Sequence, residues 1–186
     1  MSGEVLSTMP FEQFLALEAS GGARHEYVGG QVYAMSGGTE RHDLAVGYLM
    51  QLLAPAARSQ GCRTFGGNRL LRTSSDASYY PDLMVVCGRA ADVRYEDDAA
   101  LIVEVLSQST RAIDRREKLE AYRRLRSLSM YLLVEPTIRR FEAATFAAES
   151  RDISWEVYGP GAVLVTPYLV LDLDAVYDVL DADATT

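Results

Sequence analysis

Leu101-Ile102-Val103-Glu104-Val105-Leu106 is an apolar run interrupted only by one acid. An almost continuous apolar run of this length is expected of a strand covered on both faces of a sheet. A carboxylate buried in such a strand is costly unless a charge or a cation meets it. Upstream, Tyr80-Pro81-Asp82-Leu83-Met84-Val85-Val86 has the same form, an apolar strand with an acid directly after proline. If the two strands are neighbours, Asp82 and Glu104 come together.

Working outward, Ser7-Thr8 followed by Pro10 and Glu12 reads as a helix start, with the helix running from Phe11 to about Glu18. Glu26 to Val28 and Gln31 to Met35 read as strands joined by Gly29-Gly30. Ser36 to Thr39 breaks the chain, and a long helix follows from Arg41 to about Gln60, closed by Gly61. Cys62 to Phe65 and Leu70 to Thr73 look like strands, Ser74 to Ala77 like a polar turn, and Gly88 to Asp98 like a charged loop. Ser107-Gln108-Ser109-Thr110 reads as a capping run before a second long helix, about Ala112 to Leu125, with Ile113, Leu119, Tyr122 and Leu125 inward. Met130 to Val134 is a strand closed by Glu135-Pro136. Arg139 to Phe146, Ser154 to Tyr158 and Val163 to Val165 read as a late antiparallel meander, and Asp174 to Leu180 as a final helix. This order predicts an α/β fold, a mixed sheet flanked by helices, in one domain over residues 1–186.

The chain is 48% hydrophobic and 24% charged, an ordinary globular balance. No apolar stretch approaches the ~20 residues that span a bilayer. The first residues lack the basic start and apolar middle of a secretory signal, so the expected location is cytoplasmic. In that setting Cys62 and Cys87 are expected to be buried thiols rather than a disulfide or a zinc site. The net charge of −8 counts against generic nucleic-acid binding, which rests on phosphate neutralisation. Basic residues nevertheless crowd Arg111 to Arg126, either a solvated helix face or a positive rim beside an acidic site.

Lys118 is the single lysine in the chain, beside seventeen arginines. A lysine differs from an arginine in being a compact point charge that can also lose its proton when desolvated. Two acids and one lysine suit metal-assisted phosphodiester chemistry. Mg²⁺ usually takes one or two protein carboxylates, and it activates a bound water while stabilising charge on a phosphate.

Pro81-Asp82, Val103-Glu104-Val105-Leu106-Ser107-Gln108-Ser109-Thr110, Asp114-Arg115-Arg116-Glu117-Lys118-Leu119-Glu120-Ala121-Tyr122 and Tyr131-Leu132-Leu133-Val134-Glu135-Pro136 appear in that order. Together with Glu26-Tyr27-Val28-Gly29-Gly30 and His42, they resemble the bacterial putative restriction endonuclease family of the PD-(D/E)XK nuclease superfamily. The resemblance runs from about Thr8 to Leu173. It implies a restriction-endonuclease-like fold and a Mg²⁺- or Mn²⁺-dependent endonuclease. Its metal ligands would be Asp82 and Glu104, with the Val105 carbonyl a candidate third. It implies cleavage to a 5′-phosphate and a 3′-hydroxyl. DNA is the expected partner, with RNA still open, and two-strand cleavage favours a homodimer.

Where the superfamily has its lysine, two residues after the strand acid, this chain has Leu106. The resemblance points to Lys118 on the next helix as its replacement, to orient or deprotonate the water. Glu26 matches an early acid near the metal. Gln108 stands where proline is common, and Ser129-Met130 replaces the acid usual before the late-strand tyrosine.

Structural alternatives stand beside each role: Glu104 paired with an arginine such as Arg111, Lys118 paired on its own helix with Asp114, and Glu26 at the surface beside a turn. His42 would either donate to a phosphate or cap the long helix, and Tyr122 would be a core residue. For the whole chain, the rival reading is a non-catalytic nucleic-acid-binding or oligomeric module on a nuclease fold.

Overall fold

The computed structural model describes residues 5–35, 37–89, 92–107 and 111–183. In chain order, the first elements are β1 (Val5–Thr8), α1 (Phe11–Ala19), β2 (His25–Val28), β3 (Gln31–Ala34) and α2 (Glu40–Ser59). Then come β4 (Cys62–Gly66), β5 (Leu71–Ser74), β6 (Ala77–Tyr79), β7 (Leu83–Cys87) and β8 (Leu101–Val105). The next segment is helical but irregular: α3 (Arg111–Ile113), a π-helical stretch over Asp114–Lys118, and α4 (Leu119–Tyr122). β9 (Met130–Glu135), β10 (Arg140–Phe146), β11 (Ile153–Tyr158), β12 (Val163–Val165), β13 (Val170–Asp172) and α5 (Leu173–Asp183) complete the fold.

A six-stranded sheet in the order β11-β10-β9-β8-β7-β4 forms the centre. It is antiparallel except for the parallel pair β8–β9, whose crossover carries α3 and α4. The expected mixed sheet with helices on both faces is therefore present. Alternation along the strands divides its side chains between two cores. Leu83, Val85, Leu101, Val103, Leu132 and Phe141 pack with Ala45, Leu49 and Leu53 of α2 and with Val176 and Tyr177 of α5. Met84, Val86, Ile102, Tyr131 and Leu133 pack with Leu119 and Tyr122 of α4 and with Leu71 and Tyr79.

The second, five-stranded sheet runs β1-β3-β2-β6-β5. Its β2–β3 hairpin turns on Gly29 and Gly30, both at positive φ (59° and 83°), the combination a two-residue hairpin loop of the primed kind requires. Phe14 and Leu15 of α1 cover this sheet against Tyr27 and Val32.

Several local expectations need correction. Ser7 and Thr8 belong to β1, paired with β3, and the cap of α1 is Pro10. Ala77 opens a strand, β6, because it pairs with both β2 and β5. Val163–Val165 leaves the meander, which consists of β9, β10 and β11, and pairs instead with β13. The second long helix stops at Tyr122 and is widened over Asp114–Lys118. The capping run falls outside the described residues beyond Ser107, as does Ser36 in the break before α2.

The cysteines also differ from expectation. Antiparallel pairing of β4 with β7 sets Cys62 opposite Cys87, their Cα atoms 4.3 Å apart, and they form a disulfide. A separation of 25 residues hides an adjacency that only the strand register creates. Closing a loop of this length is worth about 3 kcal/mol in the chain-entropy account. Alkylation of the denatured, unreduced protein should add no mass, and reduction should expose both thiols and lower unfolding free energy by about 3 kcal/mol in urea titration. Thiol labelling before reduction would contradict the pairing.

Candidate active site

Leu83 lies opposite Val103 in the β7–β8 ladder, so one further step sets Asp82 beside Glu104. Both share the parity of Met84, Val86 and Ile102, and so face the side of the sheet that carries α4. Pro81 starts this approach, and the Asp82 carboxylate continues the ladder in place of a backbone carbonyl. Its Oδ2 accepts the Val105 N–H at 2.8 Å. The recorded role of Val105 is thus a donor that orients Asp82. The same Oδ2 lies 3.2 Å from Nε2 of His42, in the first turn of α2.

Glu104 is 3% exposed, and its Oε1 accepts from Lys118 Nζ at 3.1 Å and Tyr122 Oη at 2.8 Å. Lys118 Nζ also sits 3.2 Å from Asp114 Oδ1 and 3.3 Å from Glu26 Oε1. Four expected residues, Asp82, Glu104, Lys118 and Glu26, therefore come together from β7's entrance, β8, the π-helical stretch and β2. Of the two structural alternatives for the acid–amine pair, one is absent and the other is present alongside the Glu104 contact. Arg111 pairs with Glu135 at 2.5 and 2.7 Å rather than with Glu104. Lys118 does bridge to Asp114, but as one of three carboxylate contacts in a buried setting.

Burial pushes the Glu104 carboxyl well above its ordinary range; Lys118 opposes this shift, while Asp82 and Asp114 add to it. Burial alone would depress Lys118, but Glu104, Glu26 and Asp114 outweigh it and hold the ammonium well above its usual value. The hydrogen bond to Asp82 raises His42 to about 8, with Asp43 contributing.

Asp114 and His42 are more involved than sequence reasoning foresaw, and Tyr122 is both a core ring and a Glu104 ligand. The signals were the four-residue spacing of Asp114, Lys118 and Tyr122, and the small residues ahead of His42. A Cβ at Gly38 would lie 2.7 Å from His42 Nδ1 and 2.8 Å from Asp43 Oδ1, so glycine there leaves room for the ring. The positive rim is only partly free. Arg115 pairs with Glu135 and Glu142, whereas exposed Arg116, Arg124 and Arg126 make no ion pair among the described residues.

Among the described residues no three His, Cys, Asp or Glu side chains gather in an arrangement able to hold a metal. Asp82 and Glu104 offer two carboxylates, the number Mg²⁺ usually takes from a protein. Their oxygens Asp82 Oδ1 and Glu104 Oε2 accept no hydrogen bond among the described residues. Among the described residues, four carboxylates here face Lys118 and His42 as cationic groups. That excess of carboxylates over cations is what a divalent cation would neutralise; the raised Glu104 reflects its burial first and the neighbouring Asp82 and Asp114 second. The residues fit such an ion.

The fold is a mixed α/β sheet with two acids and a lysine gathered on one face. The chain belongs to the Uma2 family, described as "Putative restriction endonuclease", whose model matches residues 11–170. Among its relatives is the Synechocystis sp. "Uncharacterized protein slr1290", 32% identical over 68% of this chain and 68% of the relative. Another, "Uncharacterized protein sll1609" of the same organism, is 25% identical over 81% of this chain and 88% of the relative. A crystal structure described as a putative nuclease belonging to DUF820, from Anabaena variabilis, superposes with a TM-score of 0.70 at 17% identity, covering 89% of this chain and 98% of the other. That likeness shows that the two chains share a fold.

His42 provides a direct probe of the site. Its folded value lies above the ordinary 6.5, so the Asp82 interaction contributes its full stability below pH 6.5 and is lost as pH rises through about 8. In metal-free protein, NMR titration should give a His42 midpoint near 8, returning to 6.5 or below in Asp82→Asn. An unchanged midpoint in that variant would show that the two groups do not meet.

Proposed function

We propose that the protein is a divalent-metal-dependent endonuclease hydrolysing phosphodiester bonds in DNA, in the PD-(D/E)XK manner, with its lysine carried by the helix after the acidic strand. The observation that carries this reading is the Lys118 amine 3.1 Å from Glu104, on the strand paired with the one that Asp82 opens. Asp82 and Glu104 would hold Mg²⁺ or Mn²⁺, with the Val105 carbonyl as a candidate third ligand. The bound ion would supply Lewis acidity toward water and phosphate oxygen.

The side chains divide the remaining work. Val105 N–H and His42 fix the Asp82 carboxylate. Tyr122 fixes Glu104. Lys118, kept protonated by its carboxylates, donates hydrogen bonds to the attacking water or a phosphate oxygen rather than taking a proton. Glu26 holds Lys118 from the second sheet. The exposed Arg116, Arg124 and Arg126 offer phosphate contacts that the net charge of −8 would otherwise oppose. Two copies related by a two-fold axis would address the two strands of a duplex.

Plasmid nicking should require Mg²⁺ or Mn²⁺. Asp82→Asn, Glu104→Gln and Lys118→Met should each lower it by about 100-fold or more while circular dichroism stays native. Lys118→Arg should not restore it, since a planar fork cannot replace a point charge in this space. Methionine is preferred to alanine at Lys118. Either substitution strips the cation from buried carboxylates, at about 3–5 kcal/mol, but methionine keeps the apolar stem and its packing. Salt-sensitive DNA retention without metal-dependent cleavage would favour the binding-module reading.

A further inference from the structure

We propose that Tyr131 is a positioning residue that aims Lys118 at Glu104 by fixing the π-helical stretch. As a statement about catalysis it rests on the nuclease reading above.

In a regular α-helix, four-residue steps drift by about 40° each, so Asp114, Lys118 and Tyr122 would fan over about 80°. In the observed arrangement Lys118 and Tyr122 meet at one oxygen of Glu104, and Asp114 reaches the same ammonium. A π turn holds more residues than an α turn, so the step from Asp114 to Lys118 falls short of a full circle. It opposes the drift of the next step and keeps the three side chains over the sheet.

Widening a helix disturbs its hydrogen bonds, and each displaced backbone group needs another partner. Here the Leu119 N–H turns to the Arg116 carbonyl. The carbonyl of Asp114, first residue of the stretch, accepts the Tyr131 hydroxyl at 3.0 Å. Tyr131 stands on β9 beside β8, fully buried, with its ring edge-on to Tyr122 at 5.3 Å between centroids. A hydroxyl mounted on the central sheet thus holds the backbone from which Lys118 projects. Among the described residues it makes no hydrogen bond to Glu104 or Lys118.

The single lysine makes the test direct, because selective ¹³Cε-lysine labelling yields one side-chain signal. Tyr131→Phe removes only the hydroxyl. It should shift that signal and speed reductive methylation of Lys118 by formaldehyde and borohydride at least tenfold. It should also lower kcat for nicking about tenfold with KM within twofold. Tyr177→Phe is the control, since it removes another buried hydroxyl, bonded to the Glu135 and Arg140 carbonyls in the other core. It should leave the lysine signal and methylation rate at wild-type values.

An unmoved lysine in Tyr131→Phe, or an equal change in Tyr177→Phe, overturns the proposal. If wild type cleaves nothing, the nuclease reading fails while the lysine signal still decides the positioning. Should Tyr131→Phe not fold, the wild-type hydroxyl proton decides. It should exchange at least 100-fold slower than that of free tyrosine and show a through-space contact to Asp114. Free exchange overturns the proposal.

Discussion

The buried ammonium of Lys118 is the constraint around which the rest is arranged. An ammonium in an apolar interior persists only when carboxylates surround it. Those carboxylates come from three places: Glu104 from the central sheet, Glu26 from the second sheet, and Asp114 from the Lys118 helix. Each is itself costly to bury alone. The group is stable as a set, and it ties the two sheets and the crossover segment to one point. Asp82 stands at the edge of this set, held by a backbone N–H and a histidine.

Elsewhere the chain solves the same problem with arginine. Fully buried Glu96 receives Arg69 at 2.8 Å and Arg63 at 3.2 Å. Glu135 receives Arg111 and Arg115, which hold α3 and the π-helical stretch against the end of β9. A guanidinium forks across a carboxylate and fixes it. At the candidate site the chain uses a smaller cation that leaves oxygens uncovered. The contrast separates carboxylates closed by guanidinium forks from carboxylates that keep an oxygen open among the described residues.

Much of this was legible in the sequence. Continuous apolar runs around Glu104 and after Asp82 identified the central strands, because burial on both faces removes alternation. Glycines marked the hairpin and the end of α2. The acids and lysine were recognisable because each breaks a local rule of composition or burial. Adjacency created only by pairing was not legible. Cys62 and Cys87 look unrelated until β4 meets β7, and β6 looks like part of a turn until two neighbours claim it. The π-helical stretch was hidden too, since the spacing of Asp114, Lys118 and Tyr122 reads as an ordinary helical face. His42 was legible as a helix opener, but its bond to Asp82 depends on α2 starting near the mouth of β7.

The parts of the site are spread along the chain in an order that matters during synthesis. Glu26, Asp82 and Glu104 emerge from the ribosome before Lys118, and Tyr131 emerges after it. A truncated product ending before residue 118 carries the acids without their ammonium, and it lacks β9, which seats beside β8. The full arrangement can form only once most of the polypeptide has been made. Shortened translation products therefore lack the complete set of groups.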